Sequence, residues 1–260
     1  MKYSFSYIIK LQFLGFRFSG WQKQANAKTL HDMVDKTISF VIKKGTYKTI
    51  GVGRTDAKVS ANSYYLQLFT FEEIKENEFL KSLNANFSGD FRALSINKVE
   101  RSYNIINAPK TKEYHYYFAF GGKSHPFSAP FMVSLKEDLD IKIMIKAAKL
   151  FEGEHYFHKY CTKPSKNTIL KRTITSCEIV ENDILTANFF PEKSYVLKIK
   201  GKGFLRYQIR LIMATLFEVG KGNLDLNFIK TSLKPDNDRM FMRNIAPASG
   251  LQLFDIELEN

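Results

Sequence analysis

Residues 51 to 61 read Gly51-Val52-Gly53-Arg54-Thr55-Asp56-Ala57-Lys58-Val59-Ser60-Ala61. Ile50 and Val52 bring a strand-like stretch up to this segment, and Val59 to Phe69 reads as the strand that leaves it. Between them, two glycines bracket a turn that presents Arg54, Thr55 and Asp56. Asp56 follows a hydroxyl and lies two residues from a guanidinium, a setting in which its carboxylate stays ionised at neutral pH and is aimed by its neighbours. Two readings are open at this point: a held, charged nucleophile or base, or a tight turn in which Asp56 bonds local backbone.

Outward from that turn, strands and helices alternate. Tyr3, Phe5, Tyr7, Ile9, Leu11 and Phe13 recur every second residue and predict a strand with one buried face. Leu30, Met33, Val34, Thr37, Ile38, Val41 and Ile42 follow the three-four spacing of a helix, with Thr29 and Asp32 as a capping box. A short helix over 76–85 and a strand over 91–99 come next, and 104–111, with Pro109, reads as a connection between halves. Beyond it, Tyr114, Tyr116, Phe118 and Phe120 line one face of a strand, and Ile141, Met144, Ile145 and Ala148 line a helix. Tyr195, Leu197 and Ile199 form another strand. Residues 204–219 read as a helix stopped by Gly220 and Gly222, and 251–258 as a closing strand. Such a mixture of helices and mostly antiparallel strands is α+β rather than doubly wound.

Composition narrows the function classes. The chain has 260 residues, 44% of them hydrophobic, so a substantial core is available and disorder is not the default. No run of about eighteen apolar residues occurs and the amino terminus alternates, so the expectation is a soluble, cytoplasmic protein with no membrane association. Cys161 and Cys177 form neither a disulfide framework nor a C-x-x-C pair and read as reduced thiols. The cluster Glu152-Gly153-Glu154-His155-Tyr156-Phe157-His158 lacks the H-E-x-x-H pattern and reads as a surface turn; no metal and no cofactor are expected. A net charge of +13 favours a polyanion. Lys110 and Lys112 border the aromatic strand, and Lys198, Lys200 and Lys202 lead into Arg206 and Arg210, an interleaving of basic and aromatic residues that suits RNA.

Five ordered blocks resemble the tRNA pseudouridine synthase A (TruA-like) family. The Asp56 segment is similar to G-[AV]-G-R-T-D-x-G-V-H-A, and Phe13-Leu14-Gly15-Phe16-Arg17-Phe18-Ser19-Gly20-Trp21-Gln22-Lys23-Gln24 resembles the family's Y-D-G-x-x-[FY]-x-G-W-Q-x-Q opening. Lys112-Glu113-Tyr114-His115-Tyr116 is similar to [RK]-x-Y-x-Y, and Gly203-Phe204-Leu205-Arg206-Tyr207-Gln208-Ile209-Arg210 to G-F-L-x-x-x-V-R. Ala246-Pro247-Ala248-Ser249-Gly250-Leu251 matches A-P-x-x-G-L. The resemblance implies the pseudouridine synthase fold: two related α+β halves, 1–107 with the Asp loop and 108–260 with the aromatic strand and arginine helix. Their mostly antiparallel sheets would join across a basic, RNA-binding cleft, in a homodimer that acts on tRNA at positions 38–40 of the anticodon stem-loop; the alternatives are the same isomerisation on another tRNA position or RNA, or a catalytically silent RNA-binding protein.

The resemblance also assigns roles. Asp56 is carried over as the catalytic aspartate, which attacks base or ribose covalently or assists glycosidic cleavage. Arg210 is its arginine partner, able to hold a carboxylate with a bidentate fork; read from spacing alone it shares a solvated helix face with Arg206. Tyr114 stacks on the target uracil and offers a phenol near the departing C5 proton, with a core role as the alternative. Arg54 helps to replace the flipped nucleotide. Lys58, Lys112, Lys202 and Arg206 are the further candidates for RNA contact. Against the family pattern, Lys58 and Ser60 replace a Gly and a His, Leu14 an Asp, and Tyr103-Asn104-Ile105-Ile106 stands where F-H-A-R is common. These departures leave Arg54, Asp56, Tyr114 and Arg210 intact, so target choice is altered before chemistry.

Overall fold

A computed structural model of the chain describes residues 3–43, 46–235 and 244–258. It divides into two compact units, Met1–Pro109 with Leu253–Asn260, and Lys110–Gln252. The single boundary drawn from sequence assigned 108–260 to the second half; the last residues group instead with the first unit, because the C-terminal strand Leu251–Leu258 runs beside a strand of that unit. Both units are α+β.

In the first unit, β1 (Phe5–Phe13) is central, flanked by β3 (Ser60–Thr70) and β4 (Phe91–Val99), both antiparallel to it. β2 (Tyr47–Gly51) pairs with the end of β3. Burial along β1 runs over consecutive residues, Ser6 and Ile8 as well as Tyr7, Ile9 and Leu11, so both faces of the strand are covered, which corrects the single buried face expected from its periodicity. Ser6 is satisfied inside by Gln67, whose Nε2 donates to its Oγ at 2.9 Å.

Helix α1 (Leu30–Ile42) turns Leu30, Val34 and Ile38 inward, and α2 (Glu76–Asn86) does so with Phe79 and Leu83. The capping box at Thr29 and Asp32 is not formed: Thr29 makes no side-chain cap bond. The first helical amides are satisfied by tertiary partners instead, Leu30 N–H by the Gly20 carbonyl and His31 N–H by the Trp21 carbonyl, both at 3.0 Å. The helix start is thereby fastened to the 20–21 turn, which also touches the Asp56 loop.

In the second unit, β5 (Lys110–Ala119), β9 (Tyr195–Gly201), β8 (Lys171–Glu181) and β7 (Gly153–Tyr156) pair antiparallel in that order, and β6 (Val133–Ser134) runs parallel to β5. Helix α3 (Ile141–Lys149) is N-capped by Asp140, whose carboxylate accepts from Lys142 and Ile143 N–H. Helix α4 (Gln208–Gly220) is buried along almost its whole length, and its Phe217 meets Tyr116 and Phe118 of β5 edge-on. On the opposite face of β5, Tyr117 packs with Met132, Val196, Val180, Leu185 and Phe190. α5 (Leu226–Ser232) follows.

α4 starts at Gln208, four residues later than the spacing predicts, because Tyr207 takes a left-handed backbone conformation with φ 61°. Arg206 therefore precedes the helix. It does not share a helix face with Arg210, and that alternative for Arg210 falls.

Candidate active site

The Asp56 loop, residues 52–59, joins β2 to β3 and is held mainly by main-chain atoms. Trp21 N–H donates to the Thr55 carbonyl at 3.1 Å, Lys58 N–H to the Phe18 carbonyl at 3.0 Å, and Val59 N–H to the Asp56 carbonyl at 3.3 Å. Val52 N–H reaches the Tyr65 carbonyl at 2.9 Å, and the Tyr64 hydroxyl donates to the Gly53 carbonyl at 2.5 Å. Small residues are required where these layers touch. A Cβ on Gly51 would lie 2.1 Å from the Tyr64 hydroxyl and 2.6 Å from the Trp21 indole nitrogen; one on Gly20, at φ +93°, would meet the Thr55 carbonyl at 2.8 Å. The result is a loop whose backbone is fixed on both sides of a half-buried Asp56, with Arg54 and Lys58 exposed.

Lys58 explains a departure from the family pattern in part. Its φ is +67°, the region that favours glycine, so the lysine carries backbone strain of about 1–2 kcal/mol that a Gly would not. Its ammonium stands 5.7 Å from the centre of the Phe16 ring, a cation–π contact, and Lys28 stands likewise over Phe18 at 4.8 Å. Ser60, at the family's His position, is buried and accepts from Gly15 N–H at 3.0 Å. It ties β3 to the opening motif and does not face outward as an RNA ligand.

In the second unit, side chains do the holding. Tyr114 on β5 is half-buried and meets Phe204 edge-on, ring centres 5.3 Å apart. Arg206 and Arg210 both lie over the Tyr207 ring, at 5.2 and 5.0 Å. Arg210 is pinned further: its Nε donates to the Ala246 carbonyl at 2.7 Å, while Ala246 N–H donates to the Arg210 carbonyl at 3.1 Å. The next residue, Pro247, accepts from the Tyr116 hydroxyl at 2.8 Å. Burial raises the Tyr116 phenol far above its ordinary pKa, so it remains a neutral donor to that carbonyl. Thus the A-P-x-x-G-L segment fixes the arginine and the aromatic strand of its own unit.

Of the residues named for RNA contact, Lys202 and Arg206 are exposed. Lys112 is half-buried, and burial, followed by the neighbouring Lys110 charge, pulls its ammonium down to about 8. Motif reading passed over the residues that shape the site: Trp21 and Tyr64 behind the Asp loop, Phe204 against Tyr114, and Tyr207 beneath both arginines. Trp21 and Phe204 stood inside the quoted motifs. Tyr207 had no signal, since a left-handed tyrosine is not written in its spacing.

The sequence profile described as tRNA pseudouridine synthase matches residues 147–258. A tRNA pseudouridine synthase A 1 of Desulfotalea psychrophila is 30% identical over 251 residues, covering 95% of this chain and 96% of its own length. A tRNA pseudouridine synthase A 2 of Bacillus cereus is 30% identical over 254 residues, 97% and 99%. A tRNA pseudouridine synthase A of Shouchella clausii is 29% identical over 248 residues, 95% and 91%. With such identity maintained from end to end, and with the Asp loop, aromatic strand and arginine helix all formed, the chain belongs to the tRNA pseudouridine synthase A family of isomerases.

Proposed function

We propose that the chain isomerises uridines in the tRNA anticodon stem-loop, the class of positions 38–40, with Asp56, Tyr114 and Arg210 as catalytic residues. The reaction breaks the bond from uracil N1 to ribose C1′ and forms one from C5 to C1′; C5 loses a proton and N1 gains one. Atoms balance without an oxidant or a cofactor. Asp56 opens the reaction, Arg210 supplies a fork for a carboxylate, and Tyr114 offers a ring face and a phenol to the flipped base.

The observation that carries this reading is the Asp56 loop. Its backbone is bonded at Thr55, Asp56 and Lys58, so the carboxylate is positioned by fixed main chain rather than by a mobile turn. Support from the second unit is the fixing of Arg210 to Ala246 and of Tyr114 against Phe204. Arg54, Lys58, Lys112, Lys202 and Arg206 serve the RNA, with Arg54 filling the space of the flipped nucleotide. The protein works as a cytoplasmic homodimer.

The test is a reaction on transcribed tRNA without added metal, read by mass for pseudouridine and mapped by position. Wild type forms pseudouridine in the anticodon arm and Asp56→Asn forms none while still binding tRNA. Modification confined to another arm overturns the target assignment, and a fully active Asp56→Asn overturns the site. Mapping in RNA from cells lacking the protein gives the target independently.

A further inference from the structure

Behind the Asp56 loop, on the first unit, lies a polar network that the reaction above does not use. The Trp21 indole stacks on the His31 ring, centres 5.1 Å apart and planes at 13°, and also packs on Tyr64 at 4.1 Å and Phe13 at 5.9 Å. His31 Nε2 lies 2.8 Å from Thr49 Oγ1, and Thr49 Oγ1 donates to Asp35 Oδ1 at 2.6 Å. Since the threonine proton goes to Asp35, the oxygen accepts from His31, which fixes the neutral ring as the Nε2–H tautomer. Asp35 is paired with Lys23.

These contacts reach the loop from two sides. Trp21 N–H holds the Thr55 carbonyl, one residue before Asp56, and His31 N–H holds the Trp21 carbonyl. Thr49 lies on β2, two residues before Gly51, where the strand enters the loop. We propose that His31 is a positioning residue for Asp56, clamping the loop through Trp21 on one side and through Thr49 on the other. The inference rests on the assignment of Asp56 as catalytic.

A charged ring would alter the clamp, because His31 Nε2 stands 3.6 Å from Asp35 Oδ2: once protonated it competes with Lys23 for that carboxylate, and the indole then stacks on a cation. Burial, the largest influence, and Lys23 hold the His31 pKa below its usual value, while Asp35 and Asp32 raise it. The groups around the ring are Asp32 and Asp35 on its own helix, Lys23 and Trp21 on the preceding turn, and Thr49 on β2. The neutral ring is therefore favoured at pH 7, and the ring charges at a lower pH than an ordinary imidazole.

Trp21 is the single tryptophan of the chain, so its emission reports this stack directly. The experiment compares wild type with His31→Phe, which keeps a ring and loses the donor, and His31→Gln, which keeps a donor and loses the stack. Both retain bulk, and circular dichroism checks their folding. We expect turnover at saturating tRNA to fall on the order of tenfold in each with tRNA affinity within about twofold, the signature of misplacement rather than lost binding. Wild-type emission is quenched as pH falls through a midpoint below 6.5, turnover falls along the same limb, and both limbs vanish in His31→Phe. Wild-type turnover in folded variants, or a quenching step that persists in His31→Phe, overturns the proposal. A wild type that makes no pseudouridine on any tRNA overturns the functional reading instead, while the emission titration still decides whether His31 controls Trp21.

Discussion

The Asp56 loop and the Tyr114–Arg210 group are built on opposite principles. In the loop, the bonds that fix the site run between main-chain atoms: Trp21 N–H to Thr55, Lys58 N–H to Phe18, Val52 N–H to Tyr65. In the second unit they run through side chains: a guanidinium to Ala246, a phenol to Pro247, and rings against Tyr114 and Tyr207. A main-chain bond survives a change of side chain. This gives a physical reason why the loop tolerates a lysine at position 58, whose main-chain N–H still reaches Phe18, whereas Tyr114, Phe204, Arg210 and the Ala246–Leu251 motif keep the family residues.

The comparison breaks most decisively at Asp56, the loop residue whose own side chain is proposed to act. Asp56→Asn keeps its size and the surrounding main-chain bonds, so tRNA affinity should change little while turnover falls by about 10³-fold or more. Measuring both on one preparation decides it; loss of binding together with turnover would make the motif structural. In the second unit, Tyr114→Phe removes the phenol and leaves the contact with Phe204, for a loss of about 10²-fold in turnover if the phenol takes part in proton transfer. Tyr114→Leu should lose capture of the base as well. Equal activity of wild type and Leu would return Tyr114 to the core.

Arg210→Lys tests whether side-chain holding matters. Lysine has no Nε donor for Ala246 and no fork, so turnover should fall on the order of tenfold and stability by about 1–2 kcal/mol. Thermal unfolding alongside kinetics separates the two effects. Lys112 gives a pH signature of its own. Its pKa of about 8 in the folded protein lies below the usual lysine value of 10.5, so the destabilisation from burying its charge is fully present below about 8 and is relieved as pH rises toward 10.5. Binding should respond in the opposite sense: tRNA affinity weakens between pH 7 and 9 as the cation is lost, and Lys112→Gln should flatten that dependence.

The smallest effect is expected at Lys58. Lys58→Gly relieves the strain at φ +67° but frees the unfolded chain, so stability should move by less than about 1 kcal/mol. The slope of log affinity against log salt should drop by about one phosphate contact with turnover at saturating tRNA preserved. Superimposable slopes would leave the ammonium on the Phe16 ring with no RNA partner.

Strong periodicity made much of the fold legible. Helix α1 over 30–42, β4 over 91–99 and the last strand over 251–258 have the residues the pattern predicted. β8 is not legible from spacing, because a register shift between Ile174 and Ser176 breaks the two-residue alternation on which a strand is recognised. The start of α4 falls later than the spacing predicts because Tyr207 is left-handed, a backbone state that neither residue preference nor periodicity signals for a tyrosine.

By itself the sequence determined the elements with regular spacing, the order of the five motifs and the family, because periodicity and motif identity are properties of neighbouring residues. Only the tertiary structure decided that α1 is capped by the Gly20 and Trp21 carbonyls and not by Thr29, that Arg206 stands off the helix carrying Arg210, and that the last strand joins the first unit. Each depends on partners far away in the chain. A backbone donor or a strand edge is satisfied by whichever group the fold brings to it, and that choice is not encoded locally.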